Sequence, residues 1–149
     1  IVFYEGIIEL IEVIDELISK TKIFIEFHLI GDTKPIITEQ NRHFNNIDYI
    51  SNLLNKPFIK LYGKLPHNEV LDIIKNCNLY IIPRLDLEVT NMVSPLKPFE
   101  PLSLKIPLLM SNCDCLKDIS QDGKNCMLFE KGNKIDLKNQ ILYNRQNEV

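Results

Sequence analysis

The sequence predicts an α/β fold of the Rossmann-like, doubly wound kind, a parallel sheet flanked by helices. Three observations predict it. Apolar runs of strand length alternate with amphipathic helical stretches along the whole chain. Those runs are apolar throughout, without the wet face that an antiparallel sheet leaves. No repeat, low-complexity tract or linker interrupts the alternation, so the 149 residues read as one domain, 1–149.

From Glu5 to Lys20, Ile7, Leu10, Ile11, Ile14, Leu17 and Ile18 recur at helical spacing between acidic residues, which predicts an amphipathic helix. The run "KIFIEFHLIGD" (22–32) predicts a buried strand that leaves through Gly31, where positive φ is available. A helix is expected within 38–55, because Ile47, Ile50 and Leu54 share a face. "PFIKLYG" (57–63) is a second strand. It is followed by a helix over 66–77 with Val70, Ile73, Ile74 and Cys77 on one side and Asn68 as its N-cap. "NLYIIP" (78–83) is a third strand, halted by proline, "IPLLMS" (106–111) a fourth and "NCMLFE" (125–130) a fifth. "DCLKDI" forms a helical turn and "KIDLKNQILYN" the last helix.

Composition removes several functions. A net charge of −3 with 17 Lys and Arg offers no basic excess for a phosphate backbone, so no nucleic-acid partner is expected. Cys77, Cys113, Cys115 and Cys126 lack paired CxxC spacing and matching histidines, so no metal is expected and the thiols point to a reduced, cytoplasmic compartment. No transmembrane segment is expected, since no apolar run approaches the ~20 residues that span a bilayer. The chain opens abruptly at "IVFYEG", as a fragment is expected to.

Ligands of doubly wound sheets bind beyond the carboxyl ends of the strands, so the residues there are the candidates. The longest irregular stretch follows the third strand, "RLDLEVTNMVSPLKPFE". With Ser94 as N-cap and Pro95 as first helical residue, a helix begins there, and its free N–H groups together with Lys97 suit an anion such as a phosphate. Glu100, six positions after Ser94, then stands nearly two turns along, suited to the hydroxyls of a ribose. As a mere exposed pair, Lys97 and Glu100 contribute only about 0.2–0.5 kcal/mol. His28 reads as a satisfied strand histidine and His67 as a residue flanking a helix.

The segment "SPLKPFEPLSLKIPLLMSN" resembles the SPLK-x-x-E signature in the carboxy-terminal domain of family 4 retaining glycosyltransferases, whose fold is GT-B. "YEGIIELIEVI", "FIEFHLIGD", "IKLYGKLPHNEVLDIIKNCNLYIIPR" and "DISQDGKNCMLFEKGNKIDL" resemble further pieces of that domain, in family order. The resemblance implies a group 1 hexosyltransferase donor domain that binds a nucleotide-diphosphate sugar, a UDP-sugar first, for polysaccharide or glycoconjugate biosynthesis. It implies Lys97 and Glu100 as the catalytic pair, with Ser94, Pro95, Leu96 and Lys97 on the diphosphate and Glu100 on the ribose. The loop from Gly63 through Leu65 would border the base, and Arg84, Glu88, Thr90 and Asn91 would lie near the diphosphate or the transferred sugar. It implies as well that a first strand and an acceptor-binding domain precede this chain, that any peripheral membrane association runs through that domain, and that the isolated fragment is inactive.

The chain departs from the family pattern at four places. Eight positions before Glu100, where many members carry a second glutamate, stands Met92. Glu5 replaces a basic residue, Pro101 a small one, and Lys105 with Ile106 a glycine. Those departures motivate the alternative of a non-catalytic interaction domain with a degenerate donor site. A phosphoacceptor receiver lacks its aspartate cluster here, and a dinucleotide oxidoreductase its GxGxxG.

Overall fold

A computed structural model describes residues 3–33, 47–121 and 123–146. Their contacts divide the chain into two compact units, Ile1–Val70 and Leu71–Val149.

In the first unit, helix α1 (Ile7–Thr21) buries Ile8, Leu10, Ile11, Val13, Ile14 and Leu17, the stripe its 3.6-residue period lays on one side. Strand β1 (Phe27–Ile30) runs parallel to β2 (Ile59–Gly63), with Phe27 opposite Ile59 and Leu29 opposite Leu61 before the register shifts to put Ile30 opposite Gly63. The pairing strand is shorter than the apolar run 22–32 that predicted it. Gly31, at φ +126, donates its N–H to the Gly63 carbonyl at 2.6 Å, and Gly63 itself stands at φ +66. Both need the left-handed freedom that glycine supplies. Helix α2 (Ile47–Leu54) occupies the later part of its expected range, whose residues 38–46 lie outside the described residues. Ile8, Ile11, Leu29, Ile50, Leu53 and Leu54 form this unit's core, with Phe27, Phe58 and Ile59 against it.

Polar ties close the same unit. Tyr49 donates its hydroxyl to Glu12, and Lys56 reaches Asp15 at 2.9 Å, joining the α2 end of the chain to α1. His28 is satisfied on both nitrogens. The Tyr62 hydroxyl lies 2.8 Å from Nδ1, the Glu26 carboxylate 2.8 Å from Nε2, and the imidazole stacks on the Tyr62 ring at 5.5 Å.

Helix α3 (His67–Lys75) spans the unit boundary. It starts two residues too early for Asn68 to cap it: the Val70 N–H already reaches the Pro66 carbonyl at 3.1 Å, so Asn68 sits inside the first turn.

In the second unit, β3 (Tyr80–Ile82), β4 (Leu108–Ser111) and β5 (Met127–Phe129) form a parallel ladder in the order β3-β4-β5. Tyr80 pairs with Leu108, and Leu109 with Met127. All four residues of the central β4 are buried, which is why its sequence shows no alternation. Ile82, Leu108, Met110, Cys113, Leu116 and Cys126 form the core there. Two short helices, α4 (Glu88–Met92) and α5 (Phe99–Ser103), connect β3 to β4; a 3-10 turn, Asp114–Leu116, follows β4, and α6 (Lys134–Gln146) follows β5. The four cysteines are free thiols. Among the described residues no helix is long and apolar enough to cross a membrane.

Candidate functional site

The segment after β3 is built around Arg84. Its side chain is buried at 2% exposure, and one guanidinium nitrogen donates to the Val93 carbonyl at 2.6 Å and, more loosely, to the Thr90 carbonyl at 3.4 Å. An arginine turned inward in this way draws the far end of the α4 segment back toward β3. Thr90 is fully buried. Its hydroxyl accepts the Leu87 N–H at 3.1 Å and lies 2.6 Å from the Leu85 carbonyl, closing the first turn of α4. Cys115 donates its thiol to the Thr90 carbonyl at 2.8 Å, and burial, against the weaker opposing pull of Arg84, pushes that thiol up, keeping it protonated as the bond requires.

Arg84 and Thr90, for which the resemblance implies places near the diphosphate or sugar, therefore have their side chains turned into the loop itself. Asn91 is half-buried. Its amide nitrogen donates to Leu87 O at 3.2 Å and Asp86 Oδ1 at 3.3 Å, while its oxygen accepts from the Asp114 N–H and from Lys131, each at 3.3 Å. Glu88 is exposed in the first turn of α4.

The helix expected to start at Ser94 starts later. Helix α5 begins at Phe99, with Pro98 in the cap position at φ −62, and a single turn from the Leu96 carbonyl to the Phe99 N–H precedes it at 3.2 Å. The reason lies in the second proline: a helix running from Pro95 needs Lys97 in α conformation directly before Pro98, which the proline ring disfavours. With that start, Pro101 is the third residue of α5, where no donor is needed. Glu100 lies in the first turn of α5, not two turns in, with Lys97 just ahead of the cap. Ser94, Leu96 and Lys97 are exposed, and Pro95 and Glu100 half-exposed. Met92, eight positions before Glu100, is 75% exposed.

The end of α5 fixes the segment from the other side. Lys105 takes φ +58. Its N–H reaches the Leu102 carbonyl at 3.2 Å and the next N–H, of Ile106, reaches Pro101 at 2.9 Å, the paired bonds of a Schellman motif with lysine where glycine is usual.

Gly63 and Leu65 belong to the first unit, at the end of β2. The remaining candidates belong to the second, in the single run 84–100.

One cluster escaped the sequence reading. Lys131 Nζ lies 3.0 Å from Asp86 Oδ1, and the Lys131 N–H donates to Asn112 Oδ1 at 2.9 Å. Lys131 beside it holds the Asp86 carboxyl below the usual range, with Asn91 assisting, and Asp86 in turn pushes the Lys131 ammonium up. Asp114 is lowered chiefly by Lys117, 2.6 Å away. Lys131 stands two residues past β5, so the rule that sites gather beyond strand ends, applied to the fifth strand, would have found it.

The family model described as "Glycosyl transferases group 1" matches residues 1–148. An uncharacterized glycosyltransferase of Methanocaldococcus jannaschii, MJ1178, is 31% identical over 136 residues, covering 91% of this chain and 35% of that protein, so the chain spans about a third of this curated relative. The crystal structure of a glycosyltransferase from Rickettsia africae ESF-5 superposes with a TM-score of 0.73 at 16% identity, over 97% of this chain and 35% of that one. The C-terminal domain of a glycosyl transferase group 1 family protein, LpcC, from Francisella tularensis gives 0.72 at 14%, over 97% and 70%. These two likenesses show the fold.

Proposed function

The chain belongs to the group 1 glycosyl transferases, and from that premise we propose that it is the donor-binding domain of an enzyme moving a sugar from a nucleotide-diphosphate sugar to a glycan or lipid acceptor. A UDP-sugar is the first donor to test, and the family 4 resemblance assigns retention at the anomeric carbon. The observation that carries this reading is the segment Ser94–Glu100. Within seven residues it offers an exposed ammonium, amide-bearing residues in an exposed turn and a half-exposed carboxylate, directly after the Val93 carbonyl that the buried Arg84 holds.

In this scheme Lys97 and the amides of the turn stabilise the departing diphosphate, where negative charge grows as the glycosidic bond breaks. Glu100 accepts hydrogen bonds from the ribose diol. Glu88 and Asn91 face the diphosphate or the sugar, with Arg84 and Thr90 supporting the loop beneath them. No step is assigned to a metal. The acceptor and the opposite wall of the cleft belong to the larger part of the enzyme, so the isolated chain binds donor and turns over little or none. The enzyme works in the cytoplasm in this reading.

A titration of the isotopically labelled chain with UDP-glucose tests the proposal: backbone amide shifts at residues 94–100 are expected, and their absence at millimolar ligand would refute it. A second reading, an interaction domain with a degenerate donor site, is favoured by one feature, the exposed Met92 in place of a glutamate. Glu100→Ala separates the two, since a donor site loses nucleotide affinity and an interaction domain has none to lose.

A further inference from the structure

Helix α4 is only five residues long, and two of its apolar side chains, Val89 and Met92, are 40% and 75% exposed. Apolar packing therefore contributes little to fixing its outer face, and its polar ties carry more of the work. Asn91 and Lys131 supply ties of that kind. The Asn91 side-chain oxygen accepts at 3.3 Å both from the Asp114 N–H, beyond β4, and from Lys131 Nζ, beyond β5. Lys131 Nζ also holds Asp86, beyond β3, at 3.0 Å. Loops leaving three adjacent parallel strands are thus joined through one amide and one ammonium. Lys131 is seated for the role, its side chain 25% exposed against 71% for Lys117.

We propose that Lys131 is a positioning residue of the donor site: by gripping Asp86 and Asn91 it fastens the α4 segment to the end of β5 and sets where Ser94–Glu100 stands. The inference rests on the donor-site reading. Arg84 holds Val93, just past the far end of α4, and Lys131 holds Asp86, just ahead of its start, so the two cations fix both ends of α4. A loop placed by such contacts loses ligand geometry when one is removed, and small misplacements of binding groups cost much.

The test compares UDP-glucose affinity in the wild-type chain, Lys131→Met, Lys131→Arg and Asp86→Ala, with amide shifts of residues 86–100 recorded in the free proteins. Lys131→Met and Asp86→Ala are each expected to weaken binding roughly tenfold or more and to move the free-state shifts across 86–100, while Lys131→Arg, which keeps a charged donor, restores most of the affinity. Should Lys131→Met fail to fold, Asp86→Ala carries the test, because it cuts the same tie from the other side. Unchanged affinity in Asp86→Ala and Lys131→Met overturns the inference alone. Tighter binding in Asp86→Ala also overturns it, since releasing the ammonium then helps and Lys131 acts on the phosphate directly. A wild-type chain that shows no shifts removes the donor reading and this inference together.

Discussion

Replacing Lys105 with glycine should make the protein more stable, although glycine usually does the reverse. Lys105 sits at φ +58 in the turn that ends α5, with both hydrogen bonds of the Schellman motif in place. A side chain held in the left-handed region costs about 1–2 kcal/mol, from the approach of Cβ to the following carbonyl. Glycine removes that cost but gains freedom in the unfolded chain worth about 0.5–1 kcal/mol. The net gain is then about 0.5–1 kcal/mol, or a rise in Tm of roughly 1–4 °C for a chain of this size. Thermal denaturation followed by circular dichroism measures it, and Lys105→Ala is the control, because it keeps the Cβ and should gain nothing. A lower Tm for Lys105→Gly, or an equal rise for Lys105→Ala, would show that the lysine is not strained there.

Three more outcomes follow from the same geometry. Arg84→Met removes the charged hydrogen bond from the guanidinium to the Val93 carbonyl, and should cost about 1–3 kcal/mol in chemical denaturation while loosening hydrogen exchange at residues 88–93. Tyr49, whose hydroxyl donates to Glu12, has its ionisation pushed up to about 12, chiefly by that bond and then by burial; a tyrosinate absorbance titration should show this late transition, and Glu12→Gln should move it to lower pH. The Asp86–Lys131 tie should vanish at both pH extremes. Asp86 is lowered, so its contribution is present above the unfolded carboxyl value of about 3.9 and fades as pH falls through its folded value. Lys131 is raised, so its part is present below about 10.4 and fades as pH rises through its folded value. The stability difference between wild type and Asp86→Ala should therefore be flat from about pH 5 to 9 and shrink outside that window.

The fold was legible wherever burial is written continuously along the chain. The four buried residues of β4 and the six-residue stripe of α1 are the clearest instances. Strand lengths were less legible, because apolar residues such as Phe24, 86% exposed, extend the run beyond the residues that pair. The irregular segment after β3 was legible as such, but its local structure was not. Proline chemistry counted from Pro95 placed a helix start that Pro98, acting on Lys97, moved to Phe99. The inward turn of Arg84 was not legible, because sequence does not say which way a side chain points and its partner Val93 is nine residues on. Lys131 was missed because its partners Asp86 and Asn91 stand 45 and 40 positions earlier, a pairing only the parallel ladder creates.

If the turn carrying Lys97 holds a pyrophosphate, as proposed, the dissociation constant of UDP, with uridine as the uncharged comparison, should depend on that lysine. Lys97→Ala should weaken UDP by about tenfold relative to wild type, the loss of one charged contact of ~1.5 kcal/mol, and leave uridine unchanged. UDP affinity that is the same in both proteins, or uridine that weakens as much as UDP, would contradict it.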